Sequence, residues 1–141
     1  MSNTKRILII DDEPDARAYL KAILDEEGYE TITASDGEEG LIKVQENPPH
    51  LILLDLMMPK KSGIKFLNEI KIDEQLKDVP IVVVSGTRQV TGFDMKHYLK
   101  EQPFKDRKKE VLGVDFDITP EAYVEKPVNP SELLTTVKKF I

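Results

Sequence analysis

Short apolar runs recur along the chain, and several of them end abruptly in a polar group. Ile7-Leu8-Ile9-Ile10 closes on Asp11-Asp12-Glu13, Leu51-Ile52-Leu53-Leu54 on Asp55, and Ile81-Val82-Val83-Val84 on Ser85. A compact apolar run bounded by turn residues is the pattern of a strand covered on both faces, as in a parallel sheet. Tyr29 to Ala34 alternates and carries β-branched residues, which predicts a further strand. Between the runs the spacing changes to that of helices. Pro14 suits a first helical turn, Ala16, Leu20, Ile23 and Leu24 form one stripe, and Gly28 is a stop, so a helix of about 13 residues is expected. Asp36-Gly37 with Leu41 and Val44 predicts a second helix ending before Pro48, and Gly63 opens a third with Ile64, Leu67 and Ile70 on one face.

After Ser85 the pattern weakens. Glu121 to Pro127 reads as a short last strand with Lys126 at its end, and Pro130 starts a final helix carrying Leu133, Leu134, Val137 and Phe140. Alternating strands and helices require right-handed crossovers, so the expected fold is α/β: a doubly wound parallel sheet of five strands with helices on both faces. In such a sheet the carboxyl ends of all strands lie on one edge. Asp11, Asp12, Asp55, Ser85 and Lys126 can therefore converge although they are distant in sequence.

Composition narrows the chemistry. The 141 residues correspond to one ordinary domain, and the absence of cysteine excludes disulfides and thiolate metal sites. Two isolated histidines, His50 and His97, are expected on the surface rather than as zinc or copper ligands. A net charge of -6 disfavours nucleic acid and an anionic membrane surface as partners. No apolar run approaches the roughly 20 residues that span a bilayer, and the acidic amino-terminal region does not resemble a signal peptide, so a cytoplasmic location is expected.

Three clustered carboxylates form a hard-oxygen site suited to Mg²⁺. A carboxylate beside that ion and a fixed ammonium is a nucleophile toward phosphorus, and the product is an aspartyl phosphate. Ser85 at the neighbouring strand end could then hydrogen-bond the new phosphoryl oxygen and report its presence. Each residue also has a plainer reading. Asp55 can simply begin a loop, Asp11 and Asp12 can cap the first helix, Ser85 can be a loop residue and Lys126 a surface lysine. The joint pattern, each at a different strand end, favours the site.

The same five points, Asp11-Asp12 after the first strand, Asp55-Leu56-Met57-Met58-Pro59 with Gly63 after the third, Ser85 after the fourth and Tyr123-x-x-Lys126-Pro127 at the fifth, closely resemble the receiver domain of two-component response regulators. The resemblance covers nearly the whole chain and implies a flavodoxin-like sheet in the strand order 2-1-3-4-5. It implies Asp55 as phosphoacceptor, with Asp11, Asp12, Asp55 and the backbone carbonyl of Met57 as Mg²⁺ ligands. It also implies Ser85 and Tyr123 as switch residues, Lys126 as the phosphate-contacting lysine, and a cis bond between Lys126 and Pro127. The expected partners are a histidine kinase or histidine phosphotransfer protein upstream and an unidentified protein downstream, with monomer and homodimer both open. On this reading the chain is a single-domain receiver over residues 1–141, a signalling module that catalyses only its own phosphorylation and dephosphorylation.

Two rival readings were weighed. A Mg²⁺-dependent phosphohydrolase of the haloacid dehalogenase type would need an Asp-x-Asp motif, but Met57 follows Asp55 and Glu13 follows Asp11 at the second position. A flavodoxin-like cofactor binder would need a Gly-rich or Ser/Thr-rich phosphate loop after the first strand, which is missing.

The chain departs from the family pattern in two places. A crossover of one helix and two short loops takes roughly 20 residues, whereas Ser85 and Lys126 stand 41 positions apart. The stretch of about 86–120 is thus an enlarged connection, with helical pieces expected around Phe93 to Lys100 and Phe104 to Leu112. Lys105, Arg107, Lys108 and Lys109 make it the most basic part of the chain, either a solvated helix face or a surface that alters partner choice. The second departure is Met57 and Thr87 beside the expected path of the hydrolytic water. Because methionine orients water poorly, a long-lived aspartyl phosphate is expected.

Overall fold

The computed structural model describes residues 4–56, 63–85 and 120–141. Its strands are β1 Arg6–Ile10, β2 Glu30–Ala34, β3 Leu51–Leu54, β4 Ile81–Ser85 and β5 Ala122–Glu125, and its helices α1 Pro14–Glu26, α2 Gly37–Glu46, α3 Gly63–Ile72 and α4 Pro130–Phe140. The strands pair in parallel in the order β2-β1-β3-β4-β5, as expected. Lys126-Pro127 is cis.

The unbroken apolar runs follow from burial on both faces. Leu8, Ile10, Ile52, Leu54, Ile81 and Val83 point to one side, against Val44 of α2 and Phe66, Leu67 and Ile70 of α3. Their neighbours Ile7, Ile9, Leu51, Leu53, Val82 and Val84 point to the other, against Leu20 and Leu24 of α1 and Leu133 and Val137 of α4. Each such side chain, fully removed from water, contributes about 1.5–3 kcal/mol before conformational entropy is counted.

The helix ends are set by local chemistry. Pro14 occupies the first turn of α1, and Gly28, at φ 90°, takes the left-handed conformation that stops it. The Asp36 carboxylate accepts from Glu39 N at 2.9 Å at the start of α2, while the Glu39 carboxylate reaches back to Ser35 N at 2.6 Å. Asn129 caps α4 through Glu132 N, and Lys138 and Lys139 lie in its last turn, where they complement the helix dipole.

No helix among the described residues is long and apolar enough to cross a membrane. The enlarged connection runs from the end of β4 at Ser85 to the start of β5 at Ala122. Its expected helical pieces and its four basic residues lie outside the described residues, as do Met57, Thr87 and His97. His50 is exposed, and its Nδ1 accepts a hydrogen bond from Arg6 N at 2.9 Å.

Candidate functional site

Register brings the acids together. Ile10 stands opposite Leu54, so the residues that follow them, Asp11 and Asp55, leave the sheet side by side. The backbone holds both, with Asp11 N donating to Ala34 O at 3.1 Å and Asp55 N to Ile10 O at 3.0 Å. Asp11 is 1% exposed and Asp55 5%, and Asp12 is half-buried beside them. One carboxylate oxygen from each of Asp11, Asp12 and Asp55 lies within 4.8 Å of the others.

Lys126 enters from β5. Its ammonium donates to Asp11 Oδ2 at 2.6 Å and to Asp55 Oδ2 at 3.3 Å, across 115 and 71 positions of sequence. Burial works against the charge of this ammonium. The hydrogen bond to Asp11, the charges of Asp55 and Asp11 and the bond to Asp55 outweigh burial and hold the lysine above its ordinary pKa. It is a fixed cation at neutral pH, not a surface lysine.

The helix-cap reading of Asp11 and Asp12 does not hold: the N-cap of α1 is Glu13, with no side-chain hydrogen bond. Asp11 is instead clamped. Its Oδ1 accepts from Glu13 N at 3.0 Å, and its carbonyl accepts from Arg17 Nη1 at 2.7 Å. Sequence reasoning missed Arg17. A cation one turn into α1 is a common surface residue, and only the helix's approach to β1 shows its target.

Gly63 has a spatial role beyond opening α3. A Cβ there would strike the carbonyl oxygen of Asp55 and come within 2.5 Å of the Leu56 Cα. Gly63 N also donates to Leu56 O at 3.1 Å. The helix start is thus pressed onto the backbone that carries Asp55, and both obstructing groups are main chain.

Of the remaining expected site residues, Tyr123 is placed, Ser85 is placed only in part and Met57 lies outside the described residues. Ser85 ends β4 opposite Glu125, at the same edge as the acids, and its side chain lies outside the described residues, as does the whole of Met57. Tyr123 is half-buried against the cluster formed with α2 and α3, and that burial pushes its hydroxyl pKa up.

Three carboxylates against one ammonium leave an excess of negative oxygen donors at close range. This hard donor set fits a divalent cation such as Mg²⁺, which takes one or two carboxylates and keeps its remaining waters. Beside the site, Glu13, Asp15, Ala16, Tyr19 and Leu20 of α1 and the α1 approach face Lys126, Pro127 and Val128 across a mainly apolar groove of about 420 Å³.

Comparison with known proteins gives a consistent picture. The family model described as the response regulator receiver domain matches residues 7–102. The response regulator RR06 of Streptococcus pneumoniae serotype 2 is 47% identical over 93 residues, which cover 63% of this chain and 42% of that protein. The polar-differentiation response regulator DivK of Brucella ovis is 29% identical over 138 residues, covering 98% of this chain and 97% of DivK. The chain spans about half the length, 42% to 49%, of the first curated relatives it matches, and nearly all of DivK. Among solved structures, the response regulator TrrA of Thermotoga maritima, in complex with Mg²⁺-BeF, superposes with a TM-score of 0.72 at 34% identity, covering 98% of this chain and 100% of TrrA.

Proposed function

The chain belongs to the response regulator receiver domain family, and from that premise we propose that Asp55 is its phosphoacceptor, served by Asp11, Asp12 and Lys126. The observation that carries this assignment is the Lys126 ammonium bridging Asp11 and Asp55 at 2.6 and 3.3 Å, within a cluster of three carboxylates.

Phosphoryl transfer is mostly positioning and charge stabilisation. An Asp55 carboxylate oxygen attacks phosphorus while the bond from phosphorus to the donor's histidine nitrogen, or to the oxygen of a small acyl phosphate, breaks. Asp11, Asp12 and Asp55, with the backbone carbonyl of Met57 that the family resemblance adds, would hold Mg²⁺, which would supply charge stabilisation on the phosphoryl oxygens. Lys126 sits where those oxygens arrive, and its cation is secured by burial-resistant pairing. Ser85, the last residue of β4, and the half-buried Tyr123 of β5 are the readout residues in this proposal.

The upstream donor is a histidine kinase or phosphotransfer protein, which approaches along the groove between α1 and Lys126-Pro127-Val128. The downstream partner is a protein that reads the phosphorylated state, in the cytoplasm and as monomer or homodimer. RR06, DivK and TrrA are response regulators, and nothing in these likenesses supports the phosphohydrolase alternative.

The test is incubation with acetyl phosphate and Mg²⁺ followed by intact-mass measurement. One phosphoryl adduct is expected, absent without Mg²⁺ and absent in Asp55→Asn. An adduct of undiminished yield in Asp55→Asn would show that the acceptor is elsewhere.

A further inference from the structure

At the sheet edge opposite the acids, a second polar cluster ties α3 to β5. Lys71, in the last turn of α3, has a side chain only 8% exposed and donates to both oxygens of Glu121, Oε1 at 2.9 Å and Oε2 at 2.7 Å. The same ammonium reaches Val79 O at 3.2 Å and Lys77 O at 3.3 Å. Glu121 in turn accepts from Ile81 N at 2.7 Å through Oε1, and its own N donates to Ile81 O at 2.9 Å. One residue pair thereby joins the end of α3, the turn before β4, the first residue of β4 and the residue that enters β5.

This matters because β5 is short. Among the described residues it is an edge strand of four residues bonded to β4, with Val124 buried and Ala122 and Tyr123 partly buried. Register is strongly specified only where a hydrophobic pattern commits one face, and a slip of one residue sends every side chain to the other face. Nor does a short turn set the register, since the chain between Ser85 and Ala122 is long. Such a slip would carry Lys126 away from Asp11 and Asp55. The Lys71 side chain is nearly buried while that of Glu121 is 33% exposed, so losing Glu121 leaves a nearly buried ammonium without its countercharge, and the pair resists sliding.

We infer that Lys71 and Glu121 are positioning residues that pin the register of β5 and so hold Lys126 in the phosphorylation site. The inference rests on the site assignment proposed above.

Four full-length proteins decide it: wild type, Lys71→Met, Glu121→Gln and Lys126→Met, at a temperature where circular dichroism shows all of them folded. Two quantities are read, the rate of adduct formation at saturating acetyl phosphate and Mg²⁺, and amide hydrogen exchange along the chain. Misplacement by about 1 Å can cost on the order of a hundredfold, so Lys71→Met and Glu121→Gln should slow the saturated rate by roughly tenfold to a hundredfold. Loss of exchange protection should be confined to Ala122–Glu125, with β1 and β3 unchanged. An unchanged rate in both variants, with Lys126→Met slowed, overturns the pin and leaves the site assignment standing. A uniform loss of protection across all strands also overturns it, because the pair would then serve general stability. An unchanged rate in Lys126→Met overturns the site assignment and the inference together. Should Lys71→Met fail to fold, Glu121→Gln, which preserves side-chain size, carries the test.

Discussion

Around Asp55, geometry is set both by residues of the site and by backbone packed against them. Asp11 has one carboxylate oxygen held by Glu13 N and the other by Lys126, while Gly63 leaves no room between α3 and the Asp55 backbone. Gly63→Ala should lower unfolding free energy by about 1–3 kcal/mol in urea denaturation, since the obstructing atoms are backbone and cannot swing aside. An undiminished midpoint would mean that the helix start shifts freely. The acidic cluster should also respond to metal. A ligand at 100 times its dissociation constant stabilises by about 2.7 kcal/mol, so Mg²⁺ should raise the thermal midpoint of the wild type, and much less so in Asp12→Asn. At this scale Asp11, Asp55 and Lys126 were legible because each closes an otherwise apolar or extended run. Arg17 and the tight seat of Gly63 were not, because they depend on distances between segments remote in sequence.

Elements were read well where their period is strong. The central strands β1, β3 and β4 are continuous apolar runs because helices cover both faces, and α1 was expected at about its observed 13 residues. β5 was harder to read, since Ala122–Glu125 is only four residues long and fully buries Val124 alone among them. The start of α2 gives a pH prediction. Backbone and then hydroxyl hydrogen bonds from Ser35 outweigh burial and lower the pKa of Glu39 below its ordinary 4.5. A depressed carboxylate contributes stability that is present above its unfolded pKa and lost as pH falls through the folded one. Glu39→Gln should therefore flatten the acid limb of the stability curve below about pH 4.5, with little change in slope at neutral pH. On α1, Tyr19 is 47% exposed, lines the groove and donates to Val128 O at 3.1 Å. Tyr19→Ala should slow phosphotransfer from a histidine-phosphorylated donor protein severalfold while leaving the acetyl phosphate rate unchanged. Equal slowing with both donors would place its effect in the site instead of at the docking surface.

For the molecule as a whole, sheet order decides function: the order β2-β1-β3-β4-β5 is what sets the ends of β1, β3, β4 and β5 side by side. The parallel sheet was legible in the alternation of strands and helices, and its order in the resemblance to the receiver family. The output surface was not, because partner recognition depends on a face and not on a motif. Deleting residues 101–114 should preserve phosphorylation of Asp55 and change which proteins bind the phosphorylated chain in a pull-down; identical binding would assign that stretch no part in partner choice. Whether Asp55 is the phosphorylated residue is read by reducing the acetyl phosphate-treated protein with borohydride and sequencing its peptides by mass spectrometry. Reduction converts an aspartyl phosphate to homoserine, which is expected at position 55 alone; homoserine at position 11, 12 or elsewhere, with Asp55 intact, would place the acceptor at that residue instead.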